Sequence, residues 1–116
     1  MEALTGVTSK DAVAVGGTAT TVLEMQNASD IRALRIYIKN VGAAALSAAL
    51  LQGSMDGASY ENLDATAFTS KFGTLAASAV GTIFEAETNL RFPYLRIVLT
   101  SGTSTIVNLK ILAVFM

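Results

Sequence analysis

The chain has 116 residues, enough for one domain with a modest core. Eight basic and nine acidic residues leave a formal charge of −1, and they are scattered, so no electrostatic feature points to nucleic acid or an anionic membrane as partner. Cysteine, histidine and tryptophan are absent. That excludes disulfides and thiolate metal sites, and it removes the usual general base near neutral pH, the commonest transition-metal ligand and a frequent platform for sugars.

Apolar residues make up 52% of the chain and charged residues 15%, an apolar balance for a domain of this size. Charges or polar turns interrupt every apolar run before it reaches the roughly eighteen residues of a membrane span. Met1-Glu2-Ala3-Leu4 opens without a basic stretch ahead of an apolar core, so no signal peptide is expected. So few charges leave much of a monomer's surface uncovered, which points to burial against other chains.

Residues 1–17 are rich in small side chains and end in Gly16-Gly17. They read as an N-terminal arm, flexible or docked on a partner. A single domain, 18–116, follows. Thr18 to Met25 is rich in threonine and valine, as strands are. Ile31 to Asn40 alternates, with Leu34, Ile36 and Ile38 on one face and Ala33, Arg35, Tyr37 and Lys39 on the other. Gly42 to Gly53 (GAAALSAALLQG) has helical propensity, but the turn signals Asn40-Val41-Gly42 and Asp56-Gly57 on either side favour a strand with Leu46, Ala48 and Leu50 on one face. A helix remains the alternative.

Asn62 to Phe68 reads as a short strand or irregular piece. Ser78 to Glu87 reads as a strand with Val80, Thr82, Phe84 and Ala86 on one side. In Tyr94 to Thr100, Leu95, Ile97 and Leu99 face inward. In Thr105 to Phe115 the inward set is Val107, Leu109, Ile111 and Phe115, and the other face turns apolar at Leu112, Val114 and Met116, as in a strand buried on both sides. Short strands with turn signals at this spacing predict an all-β antiparallel sandwich.

Gly53 to Leu63 (GSMDGASYENL) is the most site-like stretch. Ser54, Asp56, Glu61 and Asn62 carry oxygens for a calcium ion or a sugar. The oxygens needed at alternate positions of a calcium loop are missing, however, and Asp56-Gly57 suits a hairpin turn that needs positive φ. Glu85 and Glu87 share a strand face and suit acid–base work or a cation, or equally a solvated face paired with Arg91 or Arg96. Arg32, Arg35 and Lys39 with Tyr37 interleave cations and an aromatic as nucleic-acid binders do, but at this net charge they fit a solvated or interface face better. Phosphate loops and nucleophile elbows are absent. No catalytic residue, metal ligand or cofactor is assigned, and an enzyme is not expected.

Four stretches carry a resemblance: Lys39 to Gly42, Gly53 to Leu63, Thr74 to Val80 and Tyr94 to Val98. They are similar to the K-N-x-G, G-S-x-D-G-x-x-Y/F-x-x-L, T-L-A-A-G-A and Y-L-R-V elements of small jelly-roll proteins of tailed bacteriophages, among them capsid decoration (cement) and related virion accessory proteins. The resemblance spans roughly residues 31–114. This chain departs from it with Ala-Ala-Ser-Ala at 76–79, where the group has a glycine-containing turn, and with its alanine-rich 43–51 segment.

The resemblance implies a jelly-roll sandwich and a structural role on the surface of the phage head, in a virion protein made in the host cytoplasm. It implies the major capsid protein, or another virion protein, as partner, binding between capsomers, and a homo-oligomer with a trimer favoured. The S-x-D-G-x-x-Y piece also resembles discoidin-type carbohydrate- or lipid-binding domains. A carbohydrate- or receptor-binding accessory module of a tail or fibre is therefore the alternative. Tyr37, Asp56, Tyr60 and Tyr94 are the candidate partner contacts.

Overall fold

The computed structural model describes residues 2–3, 7–26, 31–63, 72–78, 80–86 and 92–115. Among them are nine strands: β1 (Glu2–Ala3), β2 (Val7–Val15), β3 (Thr20–Gln26), β4 (Ile31–Asn40), β5 (Leu46–Ser54), β6 (Glu61–Asn62), β7 (Val80–Ala86), β8 (Tyr94–Ser101) and β9 (Thr105–Phe115). They form a five-stranded sheet in the order β1-β3-β8-β5-β6 and a four-stranded sheet in the order β2-β9-β4-β7. The antiparallel pairs are nested: β2 with β9, β3 with β8, β4 with β7 and β5 with β6. Pairs β4–β9 and β5–β8 complete the two sheets. One long hairpin folded over on itself in this way is a jelly roll. β1 adds a short parallel pairing at the free side of β3.

The core lies between the sheets and follows the period-two pattern. Leu34, Ile36 and Ile38 from β4 and Val107, Leu109 and Ile111 from β9 meet Leu23 and Met25 from β3 and Leu95, Ile97 and Leu99 from β8. β5 is a strand, as favoured over a helix, but its inward face differs from the expected one. A register shift between Leu46 and Ala48 turns the alternation over, so Leu46, Ala49 and Leu51 are buried, while Ala48 and Leu50 lie on the outer side. Leu112 is half-buried on the outer face of β9; the side chains of Val114 and Met116 lie outside the described residues. Of the segment 62–68, residues 64–68 lie outside them too.

The expected N-terminal arm is corrected. Residues 7–15 are β2, hydrogen-bonded along β9, so the sandwich does not begin at residue 18. A bulge between Lys10 and Val13 hides this strand from a periodicity reading. Ala12 sits in the bulge at φ 55°, and its N–H donates to Asn108 Oδ1 at 2.8 Å.

Most of the motifs that carry the phage resemblance lock corners. Asn40 ends β4 and is completely buried. Its Nδ2 donates to the carbonyls of Ala44 (2.8 Å) and Leu75 (3.3 Å), and its Oδ1 accepts from the Thr105 hydroxyl (2.8 Å) and the Gly42 N–H (3.2 Å). All four hydrogen-bonding positions of the amide are used. Gly42 lies so close to the next strand that a Cβ would collide with Thr105 Oγ1. The 72–78 segment is held to the same end: Leu46 N–H donates to Leu75 O (2.9 Å) and Ser78 N–H to Gly42 O (3.0 Å). Nearby, the carbonyls of Val15, Gly16 and Thr103 converge on the buried Ser101 hydroxyl, which has one proton to share among them.

Ser78 has a φ of 69°, and it occupies the place of the glycine in the resembling turn. An L-residue in that conformation costs roughly 1–2 kcal/mol. Replacing Ser78 with Gly is therefore expected to raise stability by about 1 kcal/mol, after the larger backbone entropy of glycine is subtracted. Asn40→Ala is expected to lose about 3 kcal/mol, because it strands buried polar partners on three segments. Urea denaturation of the two variants beside wild type measures both.

Candidate partner-contact site

The GSMDGAS stretch leaves β5 as a turn built on its own side chains. The buried Ser54 hydroxyl accepts from the N–H groups of Asp56 (3.2 Å) and Gly57 (2.9 Å) and donates to Asp56 Oδ1 (2.9 Å). Asp56 Oδ1 also accepts from the N–H groups of Ala58 (2.8 Å) and Ser59 (2.9 Å). Asp-Gly is used as expected: Gly57 has a φ of 77° and lies against the ring of Tyr94. A side chain there would be strained by its φ and pressed on the ring.

One Asp56 oxygen is thus fully engaged inside the loop. Among the described residues, no group of three or more acidic, histidine or cysteine side chains converges as a metal site would require. A half-open depression of about 220 Å³ lies beside the loop, lined by Gly53, Ser54, Met55, Asp56, Ser59, Glu61 and Phe92. That is smaller than the usual range for enclosed ligand pockets. The loop instead displays Met55, 71% exposed, on a backbone tied by internal hydrogen bonds.

Tyr60 follows the loop and lies on Arg96, whose Cζ is 4.0 Å from the ring centroid, a cation–π contact. Arg96 belongs to a polar row that crosses the five-stranded sheet in register: Glu24 on β3, Arg96 on β8, Gln52 on β5 and Asn62 on β6. Arg96 Nε donates to Gln52 Oε1 (2.6 Å), and Gln52 Nε2 donates to Asn62 Oδ1 (2.8 Å). The Tyr60 hydroxyl is buried without a hydrogen-bond partner among the described residues. Burial, then the charge of Glu24, pushes its pKa up.

Three of the four expected contacts, Asp56, Tyr60 and Tyr94, therefore gather at one end of the five-stranded sheet. Tyr37 is not with them. It lies on the outer face of the four-stranded sheet, across Gly81 of β7, where a Cβ would meet its hydroxyl. The polar row was not assembled from the sequence. Its signal was the outward residue of each alternating strand, but pairing those residues needs the strand order. The suggested pairing of Glu85 with Arg96 is corrected: they lie in different sheets, and Glu85 stands in register with Arg35. Glu87, Arg91 and the side chain of Arg32 lie outside the described residues.

Donation from the Ser59 N–H, then from Ala58 and the Ser54 hydroxyl, holds the Asp56 carboxyl at about 2, below its ordinary 3.8. A depressed carboxylate contributes stability that is present above its unfolded value and is lost as pH falls through the folded one. A carbon-detected NMR titration is expected to place the Asp56 midpoint near 2. Wild type is expected to shed the corresponding stability between about pH 4 and pH 2, and Asp56→Asn to lack that component.

No protein-family model and no curated protein sequence matches the chain. Solved structures share its fold. The SPBc2 prophage-derived protein YomS is similar over 93% of this chain and 93% of its own, with a TM-score of 0.56 and 11% identity. A stretch of tripeptidyl peptidase 2 is similar over 97% of this chain and 10% of that one, with a TM-score of 0.57 and 5% identity. At such identities the likeness is one of fold: an all-β sandwich that occurs both as a nearly whole prophage-derived chain and as a small part of a peptidase.

Proposed function

We propose that the protein is a structural component of a phage virion, a decoration or cement protein that binds the major capsid protein between capsomers on the head surface. What supports this reading most is the end-to-end likeness of fold to a prophage-derived protein. The K-N-x-G, S-x-D-G and T-L-A-A-x-A elements add to it, since the phage-like motifs here build the corners of the sandwich. In this reading the protein works by burying surface against the shell and not by catalysis, with trimers, assembled on the shell, as the unit on three-fold positions.

The Asp56 loop is the proposed contact with the shell. Its internal hydrogen bonds fix the backbone before binding, so little ordering entropy is lost when Met55 is buried. Co-sedimentation with undecorated heads tests the proposal. Wild type is expected to pellet saturably with heads. Met55→Glu is expected to weaken binding by at least tenfold, roughly the effect of a lost apolar anchor. Absence of wild-type binding to heads, alongside binding to a glycan panel, would turn the assignment to the carbohydrate-binding accessory module.

A further inference from the structure

Sheet edges expose unpaired backbone groups, and proteins protect them with short strands, bulges, proline or charges directed at the core. Among the described residues, three of the four edge strands carry such a device. β1 and β6 are two residues long. β2 is bulged at Ala12, and Lys10, in register with the core residue Leu109, reaches towards the Val22 carbonyl of the other sheet (3.5 Å).

The fourth edge, β7, has none of these devices. Its seven residues, Val80–Ala86, pair with β4 in seven consecutive positions without a register shift. The sequence VGTIFEA has no proline or lysine, and its one charge is Glu85. Among the described residues β4 is its only neighbour. Ile83, at the centre of the strand, is 45% exposed on the outer face.

We propose that β7 pairs with β7 of a second copy, antiparallel about a two-fold axis at Ile83, joining the two four-stranded sheets into one. The residues of the strand are complementary to themselves in that register. Ile83 stands beside Ile83 of the partner subunit, which covers an apolar side chain otherwise in water. Gly81 of each copy stands opposite the register position of Glu85 in the other. Gly81 is flanked in its own sheet by Lys39, so this register sets an acidic position of one copy in line with a basic position of the other. The contact is isologous, about 24 Å of paired strand at roughly 3.4 Å per residue. It does not depend on the virion reading, since it concerns the free protein.

Light scattering behind a sizing column, at about 100 μM, where a micromolar dimer is filled, is the first test. Twice the chain mass is expected for wild type. The monomer mass is expected for Ile83→Lys, which introduces an edge charge at an exposed position, with the thermal transition of that variant showing that it is folded. Amide exchange on wild type is independent of any substitution. In the dimer both the β4-facing and the edge-facing amides of β7 are protected, the latter slowing by at least about tenfold as the protein is concentrated. A wild-type monomer or free trimer, or edge-facing amides that exchange freely at every concentration, overturns the two-fold contact. Head binding is read separately by co-sedimentation, so either proposal can fail without the other.

Discussion

The buried amide of Asn40 is the interaction on which one whole end of the sandwich depends. A jelly roll must turn the chain back between sheets repeatedly at each end, and each reversal leaves backbone groups that cannot pair along a strand. Asn40 collects three such groups and the Thr105 hydroxyl, from three separate segments: the turn after β4, the 72–78 segment and the start of β9. A side chain with two donors and two acceptors in a plane suits this role, whereas an aspartate would face two carbonyls with no proton to give. The close approach at Gly42 follows from the same junction, because the strands can be joined so tightly only where no side chain intervenes.

The opposite end is organised by the same chemistry directed outward. There the polar groups of Ser54 and Asp56 are used on the loop's own backbone, which frees the apolar Met55 to face solvent. Tyr94 and Tyr60 brace that loop and the polar row beneath it. One end is thus closed around buried polar atoms, while the other holds a preformed protrusion.

Much of the fold was legible because β4, β8 and β9 alternate cleanly, and Leu34, Ile97 and Leu109 fall where period two puts them. The failures share one cause. The bulges in β5 and β2 each insert a residue that shifts the face of everything beyond it, so Leu50 moved outward, and Val7–Val15, with a lysine and an aspartate in its middle, did not read as a strand at all. Alternation is a local signal, and a bulge is placed by the strand on the other side. The candidate site was legible in part for a similar reason. Asp56-Gly57 announced its turn locally, but the polar row from Glu24 to Asn62 draws on strands β3, β8, β5 and β6, which are far apart in the chain. Asn40, read as a turn signal, gave no sign that it would be buried.

The nesting of strand pairs also bears on how the protein comes into being. β9 lies between β2 and β4, so nothing joins β2 to the β4–β7 pair until residues 105–115 have emerged from the ribosome. Until then β2 has no partner in that sheet among the described strands, and the inner faces of β3, β5 and β8 have only the β4–β7 pair to cover them. A vectorially synthesised chain of this topology cannot complete its sandwich before its last strand. The low charge of the sequence makes that wait a sticky one, which lasts until Phe115 is made.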